Sequence, residues 1–517
     1  MNVRREALEE SYDVIVVGSG LGGISAAALL AKAGKKVLVV ERHDRPGGYA
    51  HSFQRGKYKF DSAVHVTTGA EETGFGDLPM IHYLLKLLGV RDRVNFLPVD
   101  PFYTTIFPDL RFDAPPGTQE FLDAHVQLFP HEERGLRQLM RLHTRVSREM
   151  KKLPSDISPY ETLRNPEDFP LHTQYGNATL AQVMDELLTE PRLKALFGSL
   201  WGYQGLPPSK LSFLKWVPMI VGFSYMGVYY CEGTFQNMVN AIVWAFERDG
   251  GEMLLRSHVR RILVRDGKVA GVMLENGQRI HAPVVISNAD ATETFDELVG
   301  GEYLPSDFLP NLRQLKPALS AVLLYMATDL DLEALGATHE MFLYRTWDHD
   351  ETYQHLLDGK PSGVTLTIPT LLDSSLAPPG EHLISVTSLI SYDSVSSWRQ
   401  EKERYGELLL DEIEWVFPEI RKHVKFMEGG TPRTLERYTL NLSGAIYGWE
   451  QSPEQSGINR LGRRTPIEGL FLSGHWTQPG GGVITVVVSG VQTAQVVLGY
   501  PDVMDFFKAM EALNVTV

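Results

Sequence analysis

Gly18, Gly20 and Gly23 stand at G-x-G-x-x-G spacing, with Ser19, Leu21 and Gly22 between them, and Glu41 follows one helix-like and one strand-like segment later. This set can hold a dinucleotide. Gly18 permits a tight turn, Gly20 lets backbone approach a pyrophosphate, and Gly23 lets a helix pack closely on a strand. The Glu41 carboxylate can bond both hydroxyls of a ribose. Next come Arg42 and Arg45, which add positive charge near phosphate, and then Pro46, Gly47 and Gly48, where backbone can lie against the ligand.

Such a loop works only between particular elements. Residues 14–17 are Val-Ile-Val-Val, a β-branched apolar run suited to a buried parallel strand. Residues 24–34 read as a helix rich in Ala and Leu, closed by Gly34. The N-terminus of that helix offers free N–H groups and a positive dipole end to phosphate. Residues 36–40 form the second strand, ending at Glu41. Strand, loop, helix, strand and acid in this order separate the fingerprint from a chance glycine loop.

Nucleotide-binding character returns twice. Residues 235–249 carry Met238, Ile242, Ala245 and Phe246 on one helical face, and short strands follow at 252–255, 259–264 and 269–274 around the turn Asp266-Gly267. Residues 284–286 lead into Ser287 and Asn288. Near the C-terminus, Leu470-Phe471-Leu472 reads as a buried strand running to Gly474 and His475. The loop 479–482 and then Val483 and Ile484 precede a helix expected at 486–498, whose dipole can stabilise negative charge. The expected layout is one discontinuous dinucleotide domain, 11–70, 231–300 and 431–517, interrupted by a substrate domain of 71–230 and 301–430.

Taken together, 18–23, Glu41, 45–48, 60–65, 250–290, 438–450, 469–474 and 479–483 resemble the flavin-dependent phytoene desaturase, carotenoid isomerase and retinol saturase family. The resemblance covers most of the chain. It implies an α/β fold of the glutathione-reductase and amine-oxidase type, with a Rossmann-like FAD-binding domain and an α+β substrate domain of mixed sheet and helices. It implies FAD as cofactor, with Val259 backbone meeting adenine. It also implies a hydrophobic polyene substrate, a carotenoid or retinoid, whose C–C double bonds exchange hydride with flavin N5 in isomerisation, saturation or desaturation. The resemblance around residues 61–65 tilts the reading toward saturase or isomerase over a stepwise phytoene desaturase. Membrane contact is expected only from the solubility of such a substrate.

Departures from the family pattern mark candidate catalytic groups. Glu232 stands where a glycine is common, so its carboxylate can line the site or sit as a solvated loop acid. His475 replaces an acid and brings a titratable group near the flavin. His65 and Tyr447 are candidate proton donors, or a structural histidine and a packed aromatic. Two other readings stay open: an amine-oxidase-like flavoenzyme, and a prenyl-lipid binder of the Rab escort and dissociation-inhibitor type. The intact glycines and Glu41 argue against the second. NAD shares the first fingerprint, but residues 45–48 and the C-terminal loop favour FAD.

Composition sets the outer limits. The formal net charge of −15 argues against nucleic acid, which needs a basic surface. With Cys231 as its one cysteine the chain has no internal disulfide, which fits a reducing, cytoplasmic setting. Residues 1–10 are charged and read as no leader. No metal-ligand spacing is present. Residues 213–230 are apolar and aromatic, but Lys215, Pro218, Gly222 and Gly227 interrupt them. A membrane span needs roughly 20 largely apolar residues. This run is expected to be a buried pocket wall, or else a lipid-facing patch at a substrate entrance.

Overall fold

The computed structural model describes residues 6–72, 79–154 and 166–514; the start of the charged N-terminal stretch, 1–5, lies outside them. The apolar runs read as buried strands assemble into a five-stranded sheet in the order Leu470–Leu472, Val284–Ser287, Val14–Val17, Val37–Val40 and Glu252–Leu254. Every pairing in it is parallel. Val14 to Val17 are all buried, as continuous apolar strands must be when both sheet faces are covered.

One face is covered by three helices, Leu21–Lys32, Phe235–Arg248 and Val483–Val497. The first and last cross tightly: a Cβ at Gly490 would lie 2.3 Å from the Gly22 carbonyl oxygen. The C-terminal helix begins at Val483, three residues before the position read from sequence, with Gly482 as its N-cap. The turn Asp266-Gly267 has positive φ at both residues, as a tight hairpin between Val259–Arg265 and Lys268–Leu274 requires.

A seven-stranded sheet is built from two other stretches. Its order is Val424–Gly430, Ser320–Thr328, His382–Ile390, Val364–Thr367, Glu340–Leu343, Tyr103–Phe107 and Leu110–Ala114. Only the Glu340–Leu343 and Tyr103–Phe107 pair is parallel. The two-residue period of a strand divides its side chains between two cores. Val322, Leu324 and Met326 join the outer core with Trp398, Tyr405 and Leu409 of the helix Trp398–Glu414. Ala321, Leu323 and Tyr325 face inward.

Residues 213–230 form a helix Phe213–Val221, one π turn Gly222–Met226 and a short strand Tyr229–Cys231. Phe213, Trp216, Val217, Ile220 and Phe223 are buried, so most of the run is a wall inside the protein, with Tyr225 and Tyr229 half-buried. Among the described residues no helix is long and apolar enough to cross a membrane.

Candidate functional site

The two sheets and the 213–226 wall enclose a cavity of about 390 Å³. Gly18, Gly20, Leu21, Gly22 and Glu41 line one end of it. Gly474, His475, Gly482, Val483 and Ile484 line another part, although almost the whole chain separates them from the first set. Asn288 knits the two together. A Cβ at Gly20 would fall 2.6 Å from Asn288 Nδ2, and one at Gly474 would fall 2.6 Å from Asn288 Oδ1.

The cradle fits a dinucleotide on three observations. The helices beginning at Leu21 and Val483 both start at the cavity, neither N-terminus is capped by a side chain, and neither has an acid in its first turn. Their free N–H groups and dipole ends therefore favour an anion. Gly48 has φ +56°, and a Cβ on it would lie 3.0 Å from the Gly20 Cα, so backbone alone forms the wall there. Finally, Glu41 is held in place by the protein's own donors. Its Oε2 accepts from the Ser19 N–H at 2.8 Å and the Ser19 hydroxyl at 2.7 Å, and its Oε1 accepts from the His43 N–H at 2.7 Å.

A carboxylate has about four acceptor positions. Three are occupied, so one remains for a ribose hydroxyl, where the sequence suggested two. Hydrogen bonds to a charged partner contribute ~1.5–3 kcal/mol each. Glu41→Ala is therefore expected to weaken cofactor binding by roughly 10- to 100-fold. Titration of the flavin-free protein by fluorescence quenching measures it; unchanged affinity would contradict the role.

The other predicted contacts divide. Arg42 and Arg45 line the cavity. The Arg42 guanidinium is held by the Arg437 carbonyl, and Arg45 by Asp44 at 3.0 Å and the Ser52 carbonyl at 2.7 Å. Gly47 and Val259 also line it. Three do not. Ser19 is spent on Glu41. Gly23 lies under the loop, where an added Cβ would be 2.3 Å from the Gly18 carbonyl oxygen. Ser287 is wholly buried, its hydroxyl 2.7 Å from that of Thr294.

The candidate catalytic residues need more correction. Glu232 is exposed and bonded by Asn95 Nδ2 at 2.8 Å, in an open surface depression apart from the main cavity. The backbone explains this: Tyr229–Cys231 pairs with Phe96–Pro98, and the Glu232 N–H continues the ladder to the Asn95 carbonyl. His65 and His475 do line the cavity, but neither titrates near neutral pH. Burial pushes both imidazoles down to about 3, helped by His339 beside His65 and by the Arg460 charge beside His475. Tyr447 lines the cavity with its hydroxyl donated to the Gly202 carbonyl at 3.2 Å.

Two cations were not foreseen as site residues. Lys215 lines the cavity, and its Nζ donates to the Gly481 carbonyl at 2.9 Å. Burial, with Arg460 nearby, pushes its ammonium down to about 7. Arg460 is 2% exposed and bonds the carbonyls of Tyr447 at 3.0 Å, Trp449 at 3.2 Å and His475 at 2.5 Å. It thus ties together the two loops that carry Tyr447 and His475. A lysine inside an apolar run is the one sequence signal available for Lys215, because burying a charge is costly unless it has work to do.

Comparison with known proteins agrees with this geometry. The chain is 28% identical over 516 residues to all-trans-retinol 13,14-reductase of Danio rerio, covering 90% of this chain and 82% of that one. It is 29% identical over 520 residues to prolycopene isomerase 1, chloroplastic, of an Oncidium hybrid cultivar, covering 94% and 83%. These similarities bear out the resemblance read from the sequence. An oxidoreductase structure from Methanosarcina mazei superposes with a TM-score of 0.65 at 19% identity, covering 93% of this chain and 99% of that one. Putrescine oxidase bound to putrescine gives 0.63 at 15%, covering 94% and 99%. The fold is therefore that of the FAD amine oxidases. The signature of the flavin containing amine oxidoreductases matches residues 21–498, and the chain belongs to that family, with FAD as its cofactor.

Proposed function

We propose that this FAD oxidoreductase acts on C–C double bonds of a hydrophobic polyene, a carotenoid or retinoid, as a saturase or isomerase. The observation that carries the reading is the lining of the cavity beyond the glycine cradle. Val64, Val66, Met219, Phe223, Leu323 and Leu389 line it, contributed by a loop, the 213–226 wall and the inward face of the large sheet. A polyene has few polar handles, so an apolar wall must set its register. The relatives named for retinol and prolycopene support the same substrate class.

FAD, when bound, supplies hydride chemistry. The protein supplies the rest. Its apolar wall excludes water and holds the chain of double bonds in one register. Lys215, Gly482 and the N-terminus of the helix Val483–Val497 place positive potential at the cavity floor, where negative charge must be tolerated. Neutral His65 and His475 add shape and hydrogen-bonding capacity without a competing charge.

The competing chemistry is amine oxidation. Aerobic holoprotein is expected to release no hydrogen peroxide from primary amines or polyamines, while the anaerobic reduced form alters prolycopene, lycopene or retinol on chromatography. Peroxide formation with an amine, and no change in any polyene, would overturn the reading.

A further inference from the structure

Beside the apolar wall sits a polar pair that none of the chemistry above uses. Tyr203 ends the short 3-10 helix Ser199–Tyr203 and lines the cavity between Gly202 and Gln204. Its hydroxyl bonds Oε1 of Glu340. Glu340 opens a strand of the large sheet and is 0% exposed. Its Oε2 accepts from the hydroxyl of Thr367, directly across the ladder, at 2.8 Å. The partners of this carboxyl are thus two hydroxyls and no cation. Its charge would also raise the Tyr447 phenol, whose hydroxyl is engaged by Gly202.

We propose that Tyr203 is a catalytic proton donor to the bound polyene and that Glu340, behind it, is the positioning residue that resupplies the proton. The inference rests on the polyene reading above and adds the missing acid. Each other candidate fails on a specific ground. Glu232 lies outside the cavity. His65 and His475 are neutral, and the Tyr447 O–H and the Lys215 ammonium are donated to backbone carbonyls, which, unlike the carboxyl behind Tyr203, hold no proton to return.

Hydrogen-bond arithmetic supports the pair. An ionised Glu340 would accept from both hydroxyls and lock the Tyr203 O–H away from the cavity. A protonated Glu340 donates one bond itself, which frees the Tyr203 O–H to turn toward the cavity. Burial without a cation pushes the Glu340 carboxyl up to about 8, so it holds its proton at neutral pH.

The step balances for saturation with reduced FAD as the reductant. One carbon of the double bond accepts a hydride, and the π pair moves to its neighbour. That neighbour takes the Tyr203 proton as the O–H bond breaks. The phenolate then takes the Glu340 proton, and the carboxylate recovers one from solvent. The substrate gains two electrons and two hydrogens, and FAD ends oxidised.

Three measurements test this. In infrared difference spectra of the native holoprotein at pH 7, a deuterium-sensitive band of a protonated carboxyl is expected, absent in Glu340→Gln and kept in Tyr203→Phe. With equal flavin content, Tyr203→Phe is expected to lower single-turnover saturation by ~10²-fold with KM unchanged. In deuterium oxide the native enzyme should place deuterium on one face of one carbon, and Tyr203→Phe should lose that selectivity. Absence of the band in the native protein, or native rate and selectivity in Tyr203→Phe, would overturn the inference. If the native enzyme saturates no polyene, the transfer step falls with the substrate reading. The infrared band on the native protein still separates that failure from an error about Glu340.

Discussion

Gly23→Val is expected to give a protein that purifies without flavin. A Cβ at this position would lie 2.3 Å from the Gly18 carbonyl oxygen and 3.0 Å from Asn288 Cβ. The first is backbone of the loop that cradles the cofactor, and it has no flexible end to yield. The helix Leu21–Lys32 would have to lift from the strand Val14–Val17. That moves its uncapped N-terminus and separates Gly20 from Gly48, which approach closely. Overpacking of this kind costs about 1–3 kcal/mol or more in stability. The larger effect is on binding, since each 1.4 kcal/mol is about tenfold in affinity and several cradle contacts move at once. The visible flavin absorbance relative to protein measures the outcome. Gly34→Ala is the control: Gly34, unlike Gly23, has positive φ, at +80°, which strains the backbone of the variant, but an added Cβ meets nothing within 4 Å. It should keep its flavin.

Lys215→Met is expected to keep FAD and lose ~10²–10³-fold in kcat, the usual effect of removing one donor aimed at developing negative charge. Methionine preserves the apolar stem and deletes the ammonium that bonds the Gly481 carbonyl. The same variant has a pH signature in the flavin-free protein. Burial holds the folded pKa near about 7, against an ordinary 10.5. Between those values the unfolded chain binds the extra proton, so stability of the native apoprotein from this group rises as pH rises from about 7 to 10.5. Below that window the burial penalty is fully present. Urea unfolding of Lys215→Met at pH 6 and pH 9 should lack this rise; an identical rise in both proteins would contradict the assignment.

The parts of the site that were legible in the sequence are those whose chemistry is local. Gly18 to Gly23 and Glu41 declare themselves because a tight turn, a close approach and a strand-end acid are set by neighbours along the chain. The strands Val14–Val17 and Val284–Ser287 were legible as β-branched runs between turn signals. The C-terminal helix was placed late because Val483 to Val488 is rich in β-branched residues, which favour strand over helix. Tertiary packing against the helix Leu21–Lys32 overrides that preference.

What stayed hidden depends on burial and on side-chain direction. Arg460 and Glu340 are ordinary charged residues in the sequence, and Lys215 shows there only as a charge inside an apolar run; the folded interior makes each one unusual. Glu232 takes the second of its two sequence readings, the solvated loop acid, for the converse reason. Its place beside Gly233 says what the backbone does, and the pairing with Asn95 turns the carboxylate to the surface. His65 and His475 were found at the cavity, but their titration is removed by an environment the sequence does not display.

We propose above that this flavoprotein changes a polyene at its double bonds. The most direct test is mass spectrometry with chromatography of retinol and prolycopene after anaerobic incubation with the reduced holoprotein. Either a gain of two hydrogens, for saturation, or unchanged mass with altered retention, for isomerisation, is expected. Recovery of every polyene unchanged, with FAD bound and reduced throughout, would contradict it.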